Sequence, residues 1–205
     1  MATKGGPFDR LPRYLAEVGV HATPQQLEQF RAHFDLLVRW NERTNLTAVR
    51  DPVAILRRHF AESAYLTQVV RLGPGTLVDI GSGAGFPGIP VKILSPETRV
   101  ILVEAVQKKA AFLKEVARAV GLPGLEVFAG RFEEFPGSAE WITMRAVKLE
   151  PRLAEAIKGN VPRGTYAIFM GEADAVRLAG AKLYAIPGSD RRVIAVGECS
   201  TWNIL

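Results

Sequence analysis

The 205-residue chain has one cysteine, Cys199, so no disulfide can form within it and a cysteine-based zinc cluster is excluded. Histidine is nearly as scarce: His21, His33 and His59 are scattered and show no metal-ligand spacing, so no metal is expected. No apolar run approaches the roughly 18 residues that a membrane helix needs. The start, Met-Ala-Thr-Lys-Gly-Gly-Pro, carries no apolar signal core. A cytoplasmic protein with no membrane partner is therefore expected. There is no block of like charge, no internal repeat and no low-complexity tract. No obvious general base stands out, nor any Ser-His-Asp or Cys-His set.

What is present is ordinary for a globular chain: 48% hydrophobic and 23% charged residues, enough for one α/β domain plus an extension. The net charge of +5 and the pI near 9.6 suit a polyanionic partner. The excess is spread along the chain, which fits equally a mildly basic enzyme with solvated lysines and arginines.

Residues 1–72 read as a helical extension. Phe8, Leu11, Leu15 and Val18 form one apolar stripe, stopped at Gly19. Thr23-Pro24-Gln25-Gln26 is a capping box with proline at the first helical position. Leu27, Phe30, Phe34, Leu37 and Val38 continue that helix to about Trp40-Asn41. Asp51-Pro52 opens a third helix with Leu56, Phe60, Ala64 and Tyr65 inward. Gly73-Pro74-Gly75 marks a boundary, and residues 73–205 change pattern. Strands are expected at 76–80, 100–103, 125–128, 141–144 and 166–170, with a helix after the glycines and another over about 107–120 ended by Gly121. This alternation predicts an α/β fold with a mostly parallel sheet. Strands at 182–186 and 191–196, joined by Pro187-Gly188-Ser189-Asp190, predict a closing antiparallel hairpin.

The strand at 76–80 runs into Gly81, Gly83, Gly85 and Gly88, a turn where backbone can approach a nucleotide closely. Gly83-Ala-Gly85-Phe-Pro-Gly88 alone satisfies the dinucleotide pattern. Asp79, at the strand end, would repel a pyrophosphate but suits the sulfonium and ammonium of S-adenosylmethionine. The second strand ends in Glu104, a carboxylate able to accept both ribose hydroxyls. Lys108 and Lys109 follow and read as solvated helix surface. Together these features favour a methyl donor over a nicotinamide. Two other readings stand beside it: a nicotinamide-dependent oxidoreductase, and a non-catalytic RNA-binding module with a degenerate donor fold.

A wider set of motifs resembles one family. Trp40-Asn41 with Thr44-Asn45-Leu46-Thr47-Ala48-Val49-Arg50-Asp51-Pro52, then Asp79-Ile-Gly-Ser-Gly-Ala-Gly-Phe-Pro-Gly-Ile-Pro90, then Gly130-Arg131-Phe132-Glu133-Glu134 and Met144-Arg145-Ala146-Val147, are similar to the motifs of bacterial 16S ribosomal RNA guanine-N7 methyltransferases, also called glucose-inhibited division protein B. The resemblance spans about residues 8–197. It departs at Glu62-Ser63, where the family usually has Asp-Ser, and at Met170-Gly171, where it often has Lys-Gly.

The resemblance implies a Rossmann-like class I methyltransferase sheet, S-adenosylmethionine as cofactor, 16S rRNA or the small ribosomal subunit as partner, and no obligate protein partner. By the same resemblance Gly81 and Phe86 contact the donor, with Gly83 and Gly85 in the same loop. Glu104, Ala105 and Val106 lie by its ribose, and Phe132 and Glu133 flank its adenine. Arg145 faces the place where donor and base meet. A planar fork there suits a guanine or its phosphate, while an ion pair with a sheet-edge carboxylate is the competing role.

RNA contacts are expected among Arg39, Arg43, Arg50, Arg57 and Arg58, with Trp40 between them either packed or stacking on bases. His59 is expected as a packed histidine. Asn41, Asn45 and Thr47 form either a local turn or part of the donor pocket.

Overall fold

Helical spacing and caps explain the first third of the chain. A 3-10 turn over Pro7–Arg10 leads into α1 (Leu11–Glu17), and Phe8, Leu11, Leu15 and Val18 are all buried. α2 (Pro24–Asn41) starts with the expected capping box. Gln26 N–H donates to Thr23 Oγ1 at 3.2 Å, and Thr23 N–H donates to Gln26 Oε1 at 2.9 Å. Asp51 caps α3 (Pro52–Ile55) by accepting Ala54 N–H at 2.6 Å.

The single third helix expected through Tyr65 is broken. α3 passes into a π-helical stretch over Leu56–Ala61, then into α4 (Glu62–Ala64) and α5 (Leu66–Val69). The wider turn of a π-helix shifts the inward face. Phe60 and Ala61 are both buried, while Arg57 and Arg58 stay outside. The computed structural model describes residues 6–201 apart from 176, 177 and 179; residues 1–5, within the start read for a signal core, lie outside it.

The remaining elements alternate as expected: β1 (Gly75–Ile80), α6 (Gly88–Leu94), β2 (Thr98–Val103), α7 (Gln107–Val120), β3 (Leu125–Phe128), β4 (Trp141–Arg145), α8 (Pro151–Asn160), β5 (Thr165–Gly171), α9 (Glu172–Ala175), β6 (Lys182–Ala185) and β7 (Arg192–Glu198). Every expected strand is present within two residues of its predicted ends. α8 and α9 have no counterpart among the expected elements, although Pro151 in the first turn of α8 and the buried Leu153 and Ile157 are a sequence signal for that helix.

The sheet order is β3-β2-β1-β4-β5-β7-β6. β1 to β5 pair in parallel, and β7 runs antiparallel to both β5 and β6, as the hairpin expectation requires. Strand alternation divides the core. Leu77, Val100, Leu102, Phe169 and Ile194 pack with α2, α6, α7 and the N-terminal helices. Val78, Ile80, Ile101, Val103, Met144 and Ile168 pack on the other face with α8. The N-terminal helices therefore share a continuous core with one face of the sheet. Among the described residues no helix is long and apolar enough to cross a membrane.

The start of α6 leaves no room for a side chain at Gly88. A Cβ there would sit 2.7 Å from Asp79 Oδ2 and overlap Leu102 Cδ2. Gly88→Ala should cost about 1–3 kcal/mol of stability, read as a lower urea midpoint. An unchanged midpoint would show that the loop is looser than this packing.

Candidate active site

The glycine loop is held from below by buried polar groups. Asp79 alternates onto the same face as Leu77, so its side chain points under the loop and is fully buried. Its Oδ2 accepts Gly88 N–H at 3.1 Å, and Ser82 Oγ donates to the Asp79 carbonyl at 2.8 Å. Gly81, at φ +68°, packs so closely that a Cβ would meet Val147 Cγ2 at 2.6 Å. From α2, His33 Nε2 donates to the Ala84 carbonyl at 2.8 Å. The Phe86 ring stacks on His33 at 4.9 Å and on His59 at 5.1 Å between centroids. His59 Nε2 lies 2.8 Å from Thr47 Oγ1, so both histidines are packed structural groups against the loop.

Two cavities open at the carboxyl ends of the parallel strands, on either side of the point where strand order reverses between β1 and β4. The smaller, about 200 Å³, is lined by Gly81, Glu104, Ala105, Phe132, Glu133 and Leu153 among others. Glu104 is 6% exposed at the end of β2. Its oxygens accept Gly83 N–H at 2.9 Å and Val106 N–H at 2.8 Å. Each oxygen keeps a lone pair for a ribose hydroxyl. Phe132, Val147 and Leu153 supply apolar wall for a base. The residues present thus fit the nucleoside part of S-adenosylmethionine.

The larger cavity, about 460 Å³, lies at the ends of β4 and β5 and shares Val147 and Lys148 with the first. Arg145, Arg192 and Glu62 form its charged wall. Glu62 is only 4% exposed. Its Oε2 is 3.0 Å from Arg145 Nη2 and its Oε1 2.6 Å from Arg192 Nη2. Arg145 Nη2 also donates to the Arg58 carbonyl at 2.6 Å. Burial raises the Glu62 carboxyl while the arginines pull it down, and burial lowers Arg145.

The expected site residues therefore divide. Gly81, Glu104, Ala105, Phe132 and Glu133 line the smaller cavity. Arg145 lines the larger, and its pairing is the competing role, with Glu62 of α4 in place of a sheet-edge carboxylate. Three expected residues stand outside the lining of both cavities. Asp79 holds the loop from inside the core and is no exposed carboxylate facing a cation. The Phe86 ring packs into the helical extension, away from the cleft. Val106 is half exposed on the turn after Glu104 and does not line the cavity. Gly83 reaches the site only through its N–H on Glu104, and Gly85 is buried against Ile89 and His33. Nothing local in the sequence marks Glu62 or Arg192 as site residues: Glu62 stands out only as a departure from a motif, Arg192 only as part of a strand.

The basic and polar candidates of the extension also separate. Arg39 pairs with Glu115 and Arg57 with Glu17. Arg50 turns back to the Asn41 carbonyl and Asn45. Arg43 and Arg58 are exposed, and neither guanidinium makes a hydrogen bond or salt bridge among the described residues. Trp40 packs edge-on against Phe112 and donates to Glu115 at 2.9 Å. Asn41 Oδ1 accepts Leu46 N–H and Thr47 N–H, which makes this stretch a local side-chain-bonded turn.

Buried titratable groups make the loop region pH-sensitive with opposing signs. Burial pushes His33 down to about 4. Burial, helped by Arg145, Arg58 and Arg192, pushes His59 down to about 3. Below the ordinary 6.5 the unfolded chain takes protons that these folded imidazoles refuse, so their contribution is lost as pH falls from 6.5 toward 4. Burial pushes Asp79 up to about 7 from 3.8. Its contribution is present at low pH and is lost as pH rises between those values. In Asp79→Asn that counterweight is gone. Stability should then fall more steeply on acidification from pH 7 to 4, by up to about 1.4 kcal/mol per pH unit. Urea unfolding at several pH values reads this slope, and curves parallel to those of the unsubstituted protein would overturn it.

Comparison with known proteins agrees with this geometry. The profile described as rRNA small subunit methyltransferase G matches residues 26–182. Ribosomal RNA small subunit methyltransferase G 1 of Syntrophobacter fumaroxidans is 37% identical, covering 86% of this chain and 84% of its own. Ribosomal RNA small subunit methyltransferase G of Geobacter sp. (strain M21) is 37% identical, covering 84% and 81%. The solved SAM-dependent methyltransferase of Aquifex aeolicus shares the fold, with a TM-score of 0.56 and 18% identity over 71% of this chain and 93% of that one. With the expected sheet, the expected loop and relatives spanning most of its length, the chain belongs to the rRNA small subunit methyltransferase G family, whose cofactor is S-adenosylmethionine.

Proposed function

We propose that this protein transfers a methyl group from S-adenosylmethionine to N7 of a guanine in 16S rRNA of the small ribosomal subunit. The observation that carries this reading is the adjacency of the two cavities, which share Val147 and Lys148 as a common wall. One cavity suits a nucleoside held by Glu104, and the other suits a planar base beside Arg145. The alternatives of a nicotinamide enzyme and a non-catalytic RNA-binding module have no support from the relatives.

Bound S-adenosylmethionine supplies an electrophilic methyl on a sulfonium. Guanine N7 has an in-plane lone pair and no proton at neutral pH, so it attacks without a general base. That methyl would pass to N7 with its carbon–sulfur bond broken as the carbon–nitrogen bond is made, leaving the positive charge on the purine. The protein's part is alignment, which can supply roughly 7–11 kcal/mol. Glu104 would hold the donor's ribose, Phe132 and Glu133 would border its base, and Arg145 would orient the incoming guanine.

Segment 1–72 acts as an extension of the methyltransferase domain at 73–205. Its Arg43 and Arg58 are the candidates left available for RNA phosphate. A ribosomal RNA substrate implies a cytoplasmic setting.

Undermethylated small subunits mixed with the protein and labelled donor should acquire label on one guanine, as 7-methylguanosine. Label on another base, or none, would sink this reading. Glu104→Ala should weaken donor binding about 10- to 100-fold by calorimetry. Arg145→Ala should lower turnover at least about tenfold while donor affinity stays within about twofold. Unchanged turnover would remove Arg145 from the reaction.

A further inference from the structure

Two non-glycine residues among those described hold a left-handed backbone: Ala146 at φ 57° and Arg191 at φ 53°. Such strain collects where surrounding structure enforces it, often at functional sites. Each adjoins one guanidinium of the same cluster, since Ala146 follows Arg145 and Arg191 precedes Arg192. The antiparallel hairpin explains how Arg192 arrives. β7 begins where β5 ends, with Arg192 opposite Gly171, so its first residue shares the sheet edge with the last residue of β4.

Glu62 ties the two guanidiniums together through one oxygen each. Each still has a buried donor with no partner, Arg145 Nη1 and Arg192 Nε. Both side chains line the 460 Å³ cavity, whose other walls include Ile168, Phe169, Met170 and Leu149. Buried donors beside apolar walls cost free energy until an acceptor arrives. A complementary ligand offers apolar surface to these walls and a hydrogen-bond acceptor to the arginines.

This bears on the proposed N7 transfer, on which it rests. Guanine and adenine both present N7. They differ on that edge at position 6, where guanine has a carbonyl acceptor and adenine an amino donor. N7 must stay free for the methyl, so on this edge selection falls to position 6. We propose that Glu62 is a positioning residue, and that the arginine pair it holds donates to the 6-oxo group of the target base and so selects guanine. Against adenine the same donors face another donor and stay unpaired. Glu62 cancels one of the two guanidinium charges, which limits repulsion of the cationic product.

The test uses small-subunit RNA with guanine or 2-aminopurine at the methylated position, once mapped; 2-aminopurine keeps N7 and lacks O6. With the unsubstituted protein, kcat/KM should fall about 30-fold or more on 2-aminopurine. Arg192→Met should lose a similar factor on guanine, lose little more on 2-aminopurine, and bind donor within about twofold of normal. Arg192→Lys should recover part of the guanine activity, and Glu62→Gln should behave as Arg192→Met. Equal losses on both bases would overturn the inference, since a phosphate contact or general packing acts on both alike. Should the variants not fold, undiminished transfer to 2-aminopurine by the unsubstituted protein would itself overturn it. No transfer to guanine by the unsubstituted protein would instead refute the N7 reading beneath it.

Discussion

Five parallel strands finish on one edge of the sheet, and the rest of this protein's chemistry depends on that alignment. Parallel neighbours need crossover helices, so each strand delivers its following loop to the same edge. Gly81 after β1, Glu104 after β2, Phe132 after β3 and Arg145 at the end of β4 converge there for that reason. The reversal of strand order between β1 and β4 parts the loops and leaves the two cavities. β7 contributes from the same edge because it runs the other way, which brings its first residue, Arg192, to the ends of the others.

A glycine-rich loop has few side chains with which to fix itself, and the surroundings do that work here. Asp79 holds Gly88 N–H from the core, and His33 holds the Ala84 carbonyl from α2. Phe86, the one large side chain of the loop, is committed to the two imidazoles. The helical extension is therefore part of the loop's support. Its π-helical stretch reaches both the loop and the larger cavity: His59 meets Phe86, the Arg58 carbonyl accepts from Arg145, and Glu62 follows directly.

Much of the fold was legible because its determinants are local. The capping box at Thr23, the stripe from Phe8 to Val18 and the seven strands depend on neighbours in the chain. The candidate cleft was partly legible for the same reason, since Gly81, Glu104 and Ala105 directly follow strands and Phe132 and Glu133 stand in the loop after β3. The direction of a side chain was harder. Asp79 obeys the alternation that buries Leu77, and that parity outweighs its charge. Phe86 follows the hydrophobic effect into the aromatic contacts of the extension.

What the sequence determined by itself was the succession of elements, the glycine turn and the acidic residue that follows the second strand. Periodicity, caps and turn residues act over a few positions, and their energetics hardly depend on distant parts of the chain. Only the tertiary structure decided that Glu62 pairs with Arg145, 83 positions away, and with Arg192 at the start of β7. A charged residue on a helix gives no local sign of its partner. Burial makes that pairing obligatory, because a carboxylate enclosed by protein must find cations, and burial is a property of the assembled fold.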